Sequence, residues 1–162
     1  MKKLKIYVDT SVISYLEEDG ILDKREDTRK LWETFSLGRY EVVISPIVIA
    51  ELEECPEPKR TALFSQLQRI EFIELLETEE VLNLADKYFA AGLLPVKCND
   101  DRQHIAYACV YNCDMIVSWN FKHLVNYNTI SGVKSVNAQF GYREMPIYSP
   151  TMLVEGGEND DS

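Results

Sequence analysis

No stretch of the chain approaches the roughly 18 consecutive apolar residues of a membrane-spanning helix, so no span is expected. The opening MKKLKIYVDTS is too short and too acidic for a secretory signal peptide, and a cytoplasmic protein is expected. Positive charge is scarce: 17 Lys and Arg stand against 27 Asp and Glu, a net charge of −10. A simple nucleic-acid binder wants a basic face, so that class is disfavoured. An acidic enzyme that acts on nucleic acid through metal ions is not excluded. Part of the negative charge lies in EGGENDDS, Glu155–Ser162, which lacks apolar residues and is expected to be a disordered tail. The four cysteines, Cys55, Cys98, Cys109 and Cys113, form no C-x-x-C pair and no ribbon spacing, which marks them as reduced thiols. Helical spacing would let Cys109, Cys113 and His104 meet at a zinc ion, but the simpler reading is small apolar residues on a packed helix. Repeats, low-complexity linkers and domain boundaries are also missing. A single domain over residues 1–154 is expected, long enough to bury a core without staples.

What is present is an alternation of strand and helix signals. Ile6–Val8 reads as a strand, and TRKLWETFSLG as a helix through Leu31, Trp32 and Phe35 that stops at Gly38. YEVVISP is a second strand ended by Pro46, followed by the short helix IVIAELEE and the helix PKRTALFSQLQRI. EFIELL is a third strand. TEEVLNLADKYFAAG is a helix with Thr78 as N-cap, Glu79 and Glu80 in its first turn, and Gly92 at its end. NDDRQHIAYACVYN is another helix, DMIVSW a fourth strand, and MPIYS a final short strand closing the sheet. This order predicts an α/β domain with a mostly parallel sheet covered on both faces.

The stretch KIYVDTSVISYL then poses a problem, because an apolar run ends in Asp9. A lone buried charge is costly, so Asp9 needs a partner. Glu51 lies in the helix after the second strand, and Asp101 in the first turn of DDRQHIAYA. In an open parallel sheet the carboxyl ends of the strands share one edge, and ligand sites form there. Three acids from three segments can converge on that edge. Packed carboxylates repel, so a persistent cluster implies a cation. Oxygen ligands with no histidine or thiolate nearby suit Mg²⁺ or Mn²⁺. Each acid also has a simpler role. Asp9 could cap the next helix, Glu51 could join Glu53 and Glu54 on a solvated face, and Asp100 or Asp101 could serve the helix dipole. His104, one turn past Asp101, is ordinarily a satisfied polar residue.

Taken in order, VDTSVI, SPIVIAELEE, DDRQHIAYA and DMIVSWNFKHLVN resemble the PIN-domain family, in particular small prokaryotic toxins of the VapC type. The likeness runs from about Ile6 to Asn126, and VNAQFGYREMPIYSP is similar to a subgroup of single-domain members. The resemblance implies a three-layer α/β/α PIN-like domain and a Mg²⁺- or Mn²⁺-dependent endoribonuclease. It makes Asp9, Glu51 and Asp101 the catalytic and metal-binding acids; the spacing to HIA selects Asp101 over Asp100. Thr10, Ser11, His104 and Asn120 fall beside them, where side chains touch the ligating carboxylates or the substrate. The implied partners are RNA, an antitoxin protein whose basic or polar segment fills the cleft, and a second copy in a homodimer, with no membrane.

One departure stands out. Many family members carry a fourth acid after the fourth strand, where this chain has Asn120, so a firmly held second metal is not expected. Asp114 lies at the wrong end of that strand and reads as structural. Lys59, Arg60, Lys97, Arg102 and Lys122 are candidates for contact with the RNA backbone. The alternative reading is a PIN-fold binding or regulatory protein with weak or no turnover. A phospho-aspartate phosphatase needs a second Asp two residues after the first, and Ser11 stands there.

Overall fold

A computed structural model describes residues 2–158. Its strands are β1 (Lys5–Val8), β2 (Glu41–Ile44), β3 (Ile73–Glu74), β4 (Met115–Val117) and β5 (Ile147–Tyr148). Every pairing is parallel and the spatial order is β3-β2-β1-β4-β5. Strands buried on both faces carry near-continuous apolar runs, as KIYV, EVVI and MIV do. Alternate residues then serve opposite layers. Ile6, Val8, Val42, Ile44 and Val117 pack on one side, and Tyr7, Val43 and Ile116 on the other.

Helices cover both faces, as the sequence predicts. The first layer holds α1 (Thr10–Tyr15), α2 (Leu22–Ser36), α3 (Pro46–Glu53) and α4 (Lys59–Leu67), packed through Ile13, Trp32, Phe35, Leu52 and Leu63. The second holds α5 (Glu79–Ala90), α6 (Asn99–Val110) and α7 (Tyr127–Phe140), packed through Leu84, Tyr88, Ile105 and Val133. Thr78 caps α5 by accepting from the Val81 N–H, and Gly38 and Gly92 follow their helices at φ +74 and +80, where glycine is unstrained. Asp114 is structural: one oxygen accepts from the Lys5 N–H at 2.7 Å and pins β4 beside β1. Among the described residues, no helix is long and apolar enough to cross a membrane.

Three elements depart from expectation. α2 starts at Leu22 rather than Thr28, because DKRED is helical without carrying core residues. α7 was not expected. It is capped by Asn126, whose side chain accepts from the Thr129 N–H, and it ends at Gly141 in the left-handed region. Its interior Gly132 packs closely on Leu93: a Cβ there would lie 2.7 Å from Leu93 Cδ1, so the leucine side chain would have to shift. Finally, α8 (Pro150–Glu158) enters the stretch read as a disordered tail, packing Leu153 and Val154 against the first layer. Residues 159–162 of that stretch lie outside the described residues.

Candidate active site

The strand order reverses beside β1: the chain winds outward through β2 and β3, then returns to lay β4 against the other side of β1. The crevice at such a switch point is where open α/β sheets place ligands. Asp9 follows β1 directly, and Ser118 follows β4 directly. Their side chains meet there: Ser118 Oγ donates to Asp9 Oδ2 at 2.6 Å, and Ser11 Oγ donates to Oδ1 at 2.6 Å. Both serines are fixed in turn, Ser11 Oγ accepting the Trp119 N–H and Ser118 Oγ the Asn120 N–H. Asp9 is 4% exposed and forms the floor of the site.

Glu51 is carried by α3, whose start is set by Pro46 at its first position. Thr10 Oγ1 donates to Glu51 Oε1 at 2.7 Å, and His104 Nε2 lies 2.9 Å from the same oxygen. A carboxylate offers no proton, so Nε2 is the donor. The other ring nitrogen, Nδ1, is 2.6 Å from Tyr7 Oη, which also bonds Ser45 Oγ at 2.8 Å. Both nitrogens of His104 are thus occupied. Among the described residues, Glu51 Oε2 has no hydrogen-bond partner.

Asp101 sits in the first turn of α6. Asn120 Nδ2 lies 3.5 Å from its Oδ1, and His123 Nδ1 lies 3.2 Å from its Oδ2. The carbonyl of the Asn120 side chain is used separately, accepting the His123 N–H at 2.9 Å. Cys98, the residue before α6, places Sγ 3.6 Å from His123 Nε2.

The electrostatics centre on His104. Burial opposes its protonation, but the Glu51 hydrogen bond and the charges of Asp9, Glu51 and Asp101 outweigh it and raise its pKa. Glu51 bonds the imidazole directly, while Asp9 and Asp101 act on it through their charge. Burial raises the pKa of Asp9 despite His104 and the two serines, and burial with the Glu51 charge raises that of Asp101 despite both histidines. Burial also pushes Glu51 upward, yet the His104 bond and charge with the Thr10 hydroxyl hold it below the usual range.

The expected residues therefore come together: Thr10 on Glu51, Ser11 on Asp9, His104 on Glu51 and Asn120 beside Asp101. The expectation of acids without nearby histidine or thiolate is corrected, since His104, His123 and Cys98 all border them. His123, Cys98 and Ser118 were missed. Of these, only Ser118 had a readable signal, a polar residue ending an apolar strand as Asp9 does. Cys109 and Cys113 are buried in the core, with Cys109 Sγ against Tyr88 and Asn137, away from His104. Arg102 is 2% exposed and donates to the carbonyls of Leu93, Leu94, Pro95 and Val96, so it does not face RNA. Lys59 pairs with Glu18 and Arg60 with Glu57.

The donor set fits a hard divalent cation. Asp9 and Asp101 are linked through Ser118 and Asn120, burial raises the pKa of both, and Glu51 has an oxygen to spare. His104 has no nitrogen left to ligate.

Residues 6–121 match the PIN domain family. No curated protein matches the chain by sequence. Among solved structures, the chain is similar to VapC20 of Mycobacterium tuberculosis, a Sarcin-Ricin loop cleaving toxin. That likeness has 15% identity and a TM-score of 0.58, covering 73% of this chain and 92% of the other. It is also similar to VapBC2 from Rickettsia felis bound to a DNA fragment from their promoter, with 16% identity and a TM-score of 0.54, covering 90% and 98%. At those identities the likeness is one of fold.

Proposed function

The chain belongs to the PIN domain family, and on that premise we propose that it is a Mg²⁺- or Mn²⁺-dependent endoribonuclease, the toxin of a toxin–antitoxin pair. The observation that carries this reading is the hydrogen-bond network at the switch point of the sheet, which fixes Asp9 through Ser11 and Ser118, Glu51 through Thr10 and His104, and Asp101 through Asn120. The toxin assignment draws support from the fold shared with VapC20 and VapBC2. An RNA substrate, an antitoxin partner, a homodimer and a cytoplasmic location belong to the same proposal.

In this proposal Asp9, Glu51 and Asp101 hold the metal ion. When bound, the ion supplies charge neutralisation at the scissile phosphate and lowers the pKa of water. Ser11 and Ser118 fix both oxygens of Asp9, so the buried carboxylate keeps one orientation. Thr10 and His104 hold Glu51 Oε1, so that Oε2 would be available to the ion or to a water. Tyr7 and Ser45 fix the His104 ring. Asn120 orients Asp101 without adding charge. Phe121, the next residue, is exposed with Lys24 Nζ 5.1 Å from its ring centre, a stacking surface and a cation for single-stranded RNA.

A mixed RNA pool incubated with Mg²⁺, Mn²⁺ or EDTA tests the activity. Cleavage with either metal that stops in EDTA supports the nuclease. No cleavage with any divalent ion favours a binding protein on the PIN fold, the reading that Asn120 in place of an acid first raises.

A further inference from the structure

Beside the acidic centre lies a second ligand set of different chemistry. Among the described residues, Cys98, Asp101 and His123 bring one ligand atom each to within 4.8 Å of one another. His123 Nδ1 stands 3.2 Å from Asp101 Oδ2 and 3.8 Å from Cys98 Sγ. A tetrahedral zinc shell, with Zn–S about 2.3 Å and Zn–N or Zn–O about 2.0–2.2 Å, spaces S and N about 3.6 Å and N and O about 3.4 Å apart. The two Nδ1 spacings differ from these by a few tenths of an ångström. Sγ also lies 3.6 Å from Nε2, beside the ring, so the His123 ring turns about its side-chain bonds to present Nδ1 to an ion shared with Cys98.

The scaffold holds the donors in place. The Cys98 N–H donates to the Pro95 carbonyl, in the turn that Arg102 braces from beneath. His123 is held at both backbone ends, its N–H by Asn120 Oδ1 and its carbonyl by Thr129 Oγ1. Cys98 is buried, while His123 lines an open groove of about 550 Å³ with Leu94, Pro95, Phe121 and Lys122, which gives an ion a way in. Thiolate, imidazole and carboxylate together select a borderline-soft ion over Mg²⁺.

We propose that Cys98, His123 and Asp101 bind Zn²⁺, and that the ion, by taking Asp101 from the acidic centre, switches the nuclease off. The inhibitory half rests on the reading of Asp101 as a catalytic acid; the binding half does not. Cys98, at the edge of α6, supplies the thiolate that distinguishes this site from the all-oxygen one.

Titration of the EDTA-treated, desalted full chain with Co²⁺ tests binding without reference to activity. The expected result is a thiolate-to-cobalt charge-transfer band with tetrahedral d–d absorption, saturating at one ion per chain and reversed by Zn²⁺. Cys98→Ser loses the charge-transfer band. His123→Gln weakens the ion by at least about tenfold, and Cys55→Ser changes nothing. Melting curves of each variant establish that it is folded. In RNA cleavage at fixed Mg²⁺, Zn²⁺ inhibits the wild type, while Cys98→Ser keeps the basal rate and needs at least about tenfold more Zn²⁺. No charge-transfer band in the wild type, or an unchanged band in Cys98→Ser, overturns the site. Binding without inhibition overturns the regulatory half. A normal cobalt spectrum from a chain that cleaves no RNA upholds the site and places the failure in the nuclease reading.

Discussion

Replacing Asp9 by Asn in the metal-free protein removes a buried charge while keeping its shape. The carboxylate accepts 2.6 Å bonds from Ser11 and Ser118. Each hydroxyl also accepts a backbone N–H, so neither can turn freely to suit an amide. One of the two bonds is therefore lost or weakened, at a cost of about 1.5–3 kcal/mol for a hydrogen bond to a charged group. Attraction to His104 is lost as well. Against this stands the desolvation of a carboxylate, on the order of several kcal/mol, together with repulsion within the acidic cluster. The raised pKa of Asp9 decides the sign: with both serines and His104 in place, the folded chain still disfavours the charge. Asp9→Asn in EDTA is thus expected to melt at or above wild type, by up to ~1 kcal/mol, which is about 2–4 °C at this size. With Mn²⁺ at 100 times Kd, wild type gains about 2.7 kcal/mol. Asp9→Asn and Asp101→Asn should lose most of that gain, and Glu53→Gln, on the same helix as Glu51, should keep it. Differential scanning calorimetry with and without Mn²⁺ reads all four proteins. If Asp9→Asn melts well below wild type in EDTA yet responds normally to Mn²⁺, the carboxylate is a structural cap and the reasoning fails.

Three further outcomes follow from the geometry. His104 has a raised pKa, so its stabilising charge in the metal-free chain is fully present below about pH 6.5 and is lost as pH rises through the raised value. Urea unfolding in EDTA should show wild-type stability falling above that pH, and His104→Gln should flatten this part of the profile. Asn120→Asp sets a second carboxylate against Asp101, so it should destabilise the metal-free chain and lower the Mn²⁺ concentration for half-maximal cleavage; an unchanged requirement would place residue 120 outside the metal's reach. Arg102→Ala strands carbonyls from Leu93 to Val96 and should cost about 3 kcal/mol in denaturant unfolding, whereas a stability loss below ~1 kcal/mol would return Arg102 to the substrate surface.

The parallel core was legible because burial on both faces leaves KIYV, EVVI and MIV as plain apolar runs between helical periods. Asp9 stood out for the opposite reason, since it interrupts such a run, and it is buried as that position implies; Glu51 and Asp101 stood out only through the expected carboxyl edge of the sheet and the family resemblance. α7 was obscured by polar residues and by Gly132, which packs on Leu93, a contact that no local pattern shows. Arg102 looked like a surface cation; its burial depends on four carbonyls that the chain folds beneath it. Cys98 and His123 lie 25 residues apart and belong to no shared periodicity, so only the packing of α6 against the loop after β4 brings them together. The same holds for His104: its helix face was evident, but Tyr7, Ser45 and Glu51 as its partners were not.

The central claim is that one divalent ion, held by Asp9, Glu51 and Asp101, drives RNA hydrolysis. Its most direct test is a paired Mn²⁺ titration of wild type and Asp101→Asn, with binding followed by calorimetry and RNA cleavage measured on the same preparations. The account predicts that wild-type binding and cleavage rise together and that Asp101→Asn loses both. Cleavage that persists in Asp101→Asn, or that saturates without any Mn²⁺ binding to the wild type, would contradict it.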